Sequence, residues 1–113
     1  MSKRVLDVGN CRPDHSAIRV MIEKAFQAEV VRAQTQEEAL QMLREEPFSL
    51  VLVNRKLDRD HSDGLALIRT LKTDSQLASI PVMLISNFAD YQEDAIDAGA
   101  VEGFGKRDLS GGR

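Results

Sequence analysis

The sequence of 113 residues contains one cysteine, no tryptophan and no long run of apolar residues. A single cysteine, Cys11, excludes an internal disulfide and a zinc site built from several thiolates. A membrane-spanning helix needs roughly 20 consecutive apolar residues, and the start of the chain lacks the apolar core of a signal peptide. The sequence therefore predicts a cytoplasmic protein that does not bind or cross a membrane.

Positive charge is also limited, because the sequence has 15 Lys and Arg residues and 18 Asp and Glu residues, which gives a net charge of −3. Nonspecific nucleic-acid binding relies on a broad basic surface, so we expect no nucleic-acid partner. The composition, with 42% apolar and 29% charged residues, is typical of a folded globular chain. Its length is enough for one compact core, and we predict a single domain over residues 1–113.

Short apolar segments alternate with longer segments of helical period. The predicted strands are residues 5–8, 29–33, 50–53, 81–85 and 101–104. After Pro13, Ile18 and Ile22 belong to an apolar helical stripe, and Thr35 with Glu38 has the spacing of a capping box. Strands that alternate with helices predict a parallel sheet with helices on both faces and right-handed crossovers.

The second half of the chain continues the same alternation. Asp63 and Gly64 lead into a third helix, Asp90 with Glu93 predicts a capped start for a fourth, and Gly99 ends it. After Lys106 the chain is short and rich in glycine, so we expect no fifth helix. In such folds the functional site lies at the carboxyl ends of the strands. The residues at those ends are Gly9, Asn10, Asn54, Ser86, Asn87 and Lys106.

In their order and spacing, these segments resemble the receiver domain of two-component response regulators. The resemblance runs from Val5 to about Asp108 and is carried by residues 5–8, 50–54, 63–65, 81–86, 98–100 and Lys106. It implies an α/β, flavodoxin-like, doubly wound fold with five parallel strands in the order 2-1-3-4-5, here with the final helix absent. In that family, a histidine kinase transfers a phosphoryl group to an aspartate.

The resemblance implies that this chain has lost most of the phosphorylation site. The acidic pair that holds Mg²⁺ in the family falls on Gly9 and Asn10, and the phosphoryl-accepting aspartate falls on Asn54. The hydroxyl residue and the lysine are retained as Ser86 and Lys106. Ser86 has a simpler interpretation as a strand-end cap, and Lys106 as an ordinary solvated lysine.

The family's switch aromatic falls on Gly103, although Phe104 is adjacent. An amide such as Asn54 is not the anionic nucleophile that phosphoryl transfer needs, and Mg²⁺ prefers anionic oxygen ligands. We therefore predict no metal site, no cofactor, no catalytic residue and no enzymatic activity. Asn10 and Asn54 are expected to bond each other or nearby loop backbone.

These losses predict a phosphorylation-independent pseudo-receiver that acts as a protein–protein interaction module in signalling. One alternative is a receiver that is still phosphorylated at a substitute loop aspartate, with Asp58, Asp60 and Asp63 as the candidates. Another alternative is a module that binds a small ligand in the altered pocket.

Asp7 is unusual because it lies inside the first predicted strand, where an unpaired carboxylate is costly. It requires a partner, a shifted pKa or access to solvent. If it points to the sheet face that a final helix would cover, that face is partly open. We expect a protein partner or a second copy, forming a homodimer, to cover it. His15 is expected to be either a polar surface residue or a residue at the start of the first helix.

Overall fold

The structure, a computed structural model, describes residues 3–105. Its strands are β1 (Lys3–Val8), β2 (Ala28–Ala33), β3 (Leu50–Asn54), β4 (Val82–Ile85) and β5 (Val101–Phe104). Its helices are α1 (Arg12–Ala25), α2 (Gln36–Glu45), α3 (Gly64–Thr73) and α4 (Ala89–Asp97). Within residues 3–105, no helix follows β5. No helix in this range is long and apolar enough to cross a membrane.

The five strands form one parallel sheet in the order β2-β1-β3-β4-β5. The predicted fold and strand order are therefore confirmed. Alternate residues of each strand face opposite sides. On one side, Leu6 and Val8 of β1 pack in a core with apolar residues of α2, α3 and α4, and on the other side Val5 packs with Ile18 and Ile22 of α1.

The helix ends follow the expected chemistry with one exception. The hydroxyl of Thr35 accepts a hydrogen bond from the amide of Glu38 at 3.2 Å, as its capping-box spacing predicts. Gly99 has a φ of +113°, which suits a residue just beyond a helix end. The predicted cap at Asp90 is wrong. The residue that caps α4 is Phe88, whose backbone amide donates to the hydroxyl of Ser86 at 3.2 Å.

Asp7 is completely buried between the sheet and α1. Its carboxylate accepts a hydrogen bond from the side-chain amide of Asn10, and its other oxygen lies 2.7 Å from Nδ1 of His15. Of the two alternatives for His15, the structure supports a helix-start residue, because His15 lies near the start of α1 and its side chain is only 15% exposed and covers Asp7. Asp7 therefore has its partners within the chain and is not open to solvent on this face.

Burial raises the pKa of Asp7, against the effect of the hydrogen bonds from His15 and Asn10, which lower it. A raised pKa means that the folded state holds the proton more tightly than the unfolded state. The stability linked to this proton is then complete below the ordinary aspartate pKa and is lost as the pH rises through the raised value.

We expect Asp7→Asn to become more stable relative to the wild type as the pH increases over this window, because asparagine does not ionise. Urea unfolding of both proteins at a series of pH values gives the difference in the free energy of unfolding directly. The contributions of the other carboxylates to the pH dependence are the same in both proteins and cancel in this difference. A difference that stays constant with pH, or that favours the wild type more at higher pH, contradicts the prediction.

Candidate functional site at the carboxyl ends of the strands

The structure brings together the residues that follow β1 and β3. Asn54, the last residue of β3, uses its side-chain amide to donate hydrogen bonds to the backbone carbonyls of Gly9 at 3.3 Å and Lys56 at 2.7 Å. Asn10 turns instead to Asp7. Asn54 therefore forms hydrogen bonds to the loop backbone, which is one of the two predicted alternatives. These bonds connect the end of β3 to Gly9, the residue after β1. The predicted role of Lys106 lies outside the described residues.

Leu57 occupies the space beside Gly9 and is completely buried. Gly9 has a φ of +81°, and a Cβ atom added to it would lie only 2.4 Å from Cγ of Leu57. The backbone amide of Asp58 also donates to the Gly9 carbonyl at 2.8 Å. The position after β1 thus accepts no side chain unless both the backbone and Leu57 move.

Leu57 was missed by sequence reasoning, which treated the stretch after Asn54 as a polar loop. The signal was present, because Leu57 is the one aliphatic residue between Asn54 and Gly64. Residues 55–63 fold into a compact turn, in which Leu57 and Ser62 share a backbone hydrogen bond of 2.9 Å and His61 donates to the Leu57 carbonyl at 2.8 Å. This turn holds Leu57 against the end of β1.

The residues at this position do not fit Mg²⁺. Gly9 has no side chain, the amide of Asn54 donates to carbonyl groups, and the amide of Asn10 donates to Asp7. Mg²⁺ requires near-octahedral oxygen ligands, usually with carboxylates among them. Among residues 3–105, no three His, Cys, Asp or Glu side chains are grouped to hold a metal ion.

The three loop aspartates have different surroundings. Asp63 caps α3 by accepting from the amide of Leu65 at 2.9 Å and lies 3.3 Å from Arg55. Asp60 accepts from the amide of Ser62 at 3.0 Å, and hydrogen bonds from Ser62 lower the pKa of this exposed carboxyl. Asp58 is exposed at the rim of a cavity. Two of the three carboxylates therefore have local structural roles.

Gln92 of α4 holds the ends of β4 and β5 together, and it was also missed by sequence reasoning. Its amide nitrogen donates to the carbonyls of Leu84 at 2.9 Å and Ser86 at 3.1 Å, and its oxygen accepts from the amide of Gly103 at 3.1 Å. A Cβ atom on Gly103 would lie 2.1 Å from the Leu84 carbonyl oxygen. The predicted switch position therefore has no room for a side chain.

Phe104 does not take the place of an aromatic at Gly103. The register shifts in β5, where Val101 pairs with Met83 and Phe104 pairs with Ile85, so that three steps in β5 match two steps in β4. Phe104 packs against the core on the α1 side of the sheet. Ser86 is half-buried, and its hydroxyl accepts a hydrogen bond from the backbone amide of Phe88 at 3.2 Å.

The sequence matches the family described as the response regulator receiver domain over residues 13–108. No curated protein matches the chain significantly. Solved structures give many matches, with 261 similar chains.

Three solved structures illustrate the similarity. A response regulator from Thermotoga maritima is 26% identical, with a TM-score of 0.77 over 94% of this chain and 86% of that chain. A response regulator receiver protein from Pseudomonas putida is 19% identical, with a TM-score of 0.77 over 100% of this chain and 98% of that chain. The chemotaxis protein CheY4 of Vibrio cholerae is 17% identical, with a TM-score of 0.76 over 92% of this chain and 85% of that chain.

The contact between Gly9 and Leu57 predicts a large cost for any side chain at position 9. We expect Gly9→Ala to lower the free energy of unfolding by roughly 2–4 kcal/mol, because a strained positive φ adds to overpacking. Urea unfolding measures this loss.

The double variant with Leu57→Ala is the matched control for this prediction. Removing the Leu57 side chain relieves the steric contact but not the backbone strain, so Gly9→Ala should cost less in that background. An equal cost in both backgrounds would show that Leu57 does not fill the position.

Proposed function

The chain belongs to the response regulator receiver domain family, and we propose that it is a phosphorylation-independent member that acts as a protein–protein interaction module in signalling. The observation that carries this proposal is the buried side chain of Leu57 packed on Gly9. It occupies the position where the resemblance places a metal-binding carboxylate. The domain then has neither the charge nor the space for Mg²⁺ beside Asn54.

The side chain of Asn54 supports the same proposal in a second way. Its amide donates two hydrogen bonds to carbonyl oxygens. An ionised aspartate accepts hydrogen bonds but donates none, so it would face those two oxygens with like partial charge. Asn54 therefore stabilises this loop through the two hydrogen bonds that its amide donates. An aspartate at this position could not form them.

The contacts of Gln92 support a domain with one conformation at α4 and β5. A receiver that signals by phosphorylation shifts between two states, and this requires an element with two stable positions. Here one glutamine side chain bonds carbonyls of Leu84 and Ser86 and the amide of Gly103. We propose that the interaction surface is presented constantly and that it needs no input to form.

Incubation with acetyl phosphate and Mg²⁺, read by intact mass, tests the proposal. The wild type should show no gain of about 80 Da, the mass of an added phosphoryl group. Asn54→Asp alone should also remain unmodified, because Mg²⁺ is still required to neutralise the transferring oxygens. A receiver domain known to accept phosphoryl groups serves as the positive control.

A mass gain in the wild type would overturn the proposal. Peptide mapping would then assign the site, and modification of Asp58, Asp60 or Asp63 would support the substitute-acceptor alternative. Rapid modification of Asn54→Asp would also overturn the proposal. It would show that only the acceptor residue is missing from the pocket, whereas the proposal holds that the buried side chain of Leu57 leaves no space for Mg²⁺.

We further propose that a protein partner or a second copy binds an apolar groove on the α1 side of the sheet. The groove has a volume of about 250 Å³. It is lined by Lys3, Val5, Ile22, Phe26, Ala28, Ser49, Leu50 and Pro81. Phe26 is 60% exposed at its edge. Partly exposed aromatic residues beside apolar grooves are typical anchors of protein interfaces.

Light scattering of the purified protein over a range of concentrations tests the version with a second copy. We expect a dimer that Phe26→Glu converts to a monomer, since a charge at the groove opposes apolar burial. Val20→Glu is the matched control, because Val20 is 62% exposed on the same helix and does not line the groove. A monomeric wild type, or equal effects of the two variants, contradicts the homodimer.

A further inference from the structure

We propose that a cavity between the ends of β1 and β2 and the loop after β3 binds a phosphate group through the guanidinium groups of Arg32 and Arg59. The cavity has a volume of about 180 Å³. It is lined by Gly9, Asn10, Arg32, Gln34, Asp58 and Arg59. Neither Asn54 nor Ser86 lines it, so it lies beside the phosphoryl-accepting position and shares only Gly9 and Asn10 with the family's phosphorylation site.

Arg32 enters the cavity with hydrogen-bonding capacity to spare. One of its terminal nitrogens donates to the backbone carbonyl of Asn10 at 3.3 Å. Its Nε is enclosed and has no partner among the described residues. Folded proteins rarely leave an enclosed donor unpaired, and an oxyanion is the partner that guanidinium geometry fits best.

Arg59 approaches the same cavity from the loop after β3. It is held by a hydrogen bond of 2.5 Å to the side-chain oxygen of Gln34, and it is otherwise exposed. Within residues 3–105, neither Arg32 nor Arg59 forms a salt bridge with a carboxylate. Arg4, Arg44 and Arg55 all do. The buried carboxylate of Asp7, a residue that pairs with Arg32 in the register of β1 and β2, interacts with Arg32 electrostatically but forms no salt bridge with it. Two guanidinium groups therefore face one small space without a carboxylate bonded to either.

Asn10 supplies the group that separates phosphate from other anions. It is 1% exposed, and its side-chain oxygen has no hydrogen-bond partner among the described residues. An amide oxygen only accepts hydrogen bonds. Inorganic phosphate keeps at least one proton near neutral pH and therefore offers an O–H donor as well as acceptor oxygens, whereas a phosphate monoester, whose second pKa lies at about 6, is mostly fully ionised at pH 7.

The charge of the cavity also favours phosphate over a carboxylate. Arg32 and Arg59 provide two positive charges, and phosphate carries about −1.5 to −2 at pH 7, against a single charge on a carboxylate. Asp58 opposes binding only weakly, since it is exposed at the rim, where solvent screens its charge. The small volume admits the phosphate itself, and the O–H donor that Asn10 would accept from favours inorganic phosphate over a monoester.

Bound phosphate would join two segments that are otherwise connected by one side-chain hydrogen bond. Gln34 lies between β2 and α2, whereas Arg59 lies in the turn that holds Leu57. Phosphate would therefore stabilise that turn without forming a covalent bond. This inference does not depend on the proposed function, because inorganic phosphate cannot transfer a phosphoryl group to the protein.

Titration with inorganic phosphate at constant ionic strength, with EDTA present, tests the inference by two-dimensional NMR. We expect saturable shifts of the Gly9, Asn10 and Gln34 amides and of the Nε–H signals of both arginines. Arg59→Gln and Arg32→Lys should each weaken binding by about tenfold, since each loses a guanidinium fork. Arg69→Gln, an exposed arginine outside the cavity with the same charge change as Arg59→Gln, is the matched control.

Equal weakening by Arg69→Gln, or no saturable shift at the cavity, would overturn the inference. Arg59 is exposed, so Arg59→Gln keeps the test interpretable if Arg32→Lys fails to fold. Sulfate should bind more weakly than phosphate, because it has no proton to donate to Asn10 at this pH, and equal affinity would contradict the role of Asn10. Tighter binding of phosphoserine than of inorganic phosphate would identify a phosphomonoester as the ligand, and the reverse order would identify the free ion.

Discussion

The packing of Leu57 on Gly9 determines what the carboxyl end of this sheet can do. A leucine side chain buried at this point has no polar atom to offer and leaves no space for one. The positive φ of Gly9 turns the chain so that its carbonyl accepts from both Asn54 and Asp58. Steric contact and hydrogen bonding therefore favour the same closed arrangement.

Several polar side chains around this contact bond to other groups of the chain, although the side-chain oxygen of Asn10 has no partner among the described residues. Asn54 bonds two backbone carbonyls, and Asn10 bonds the buried carboxylate of Asp7, which His15 covers from α1. In an intact phosphorylation site, carboxylates would converge on a dication. Here the carboxylate of Asp7 lies beneath α1, and the side-chain amides of Asn10 and Asn54 provide the remaining contacts. The result is a pocket stabilised by internal hydrogen bonds.

Further side-chain contacts link the loop after β3 to α4 and to β5 at the edge of the sheet. Arg55, in the loop after β3, places its guanidinium 4.3 Å from the centre of the Tyr91 ring on α4. Gln92, one residue further, bonds the ends of β4 and β5. These contacts connect the loop, α4 and β5 in series, so that the surface of α4 depends on the position of the loop.

The sequence by itself determined the fold, since apolar segments that alternate with helical periods specify a parallel sheet, and it also identified Gly9, Asn10 and Asn54 as a site without carboxylates. It assigned Gly103 to the family's switch position but could not indicate that Gln92 occupies the surrounding space. The tertiary structure alone decided the partners of Asp7, the burial of Leu57 and the convergence of Arg32 with Arg59. Each of these depends on which residues of distant segments meet, and local periodicity contains no information about such contacts.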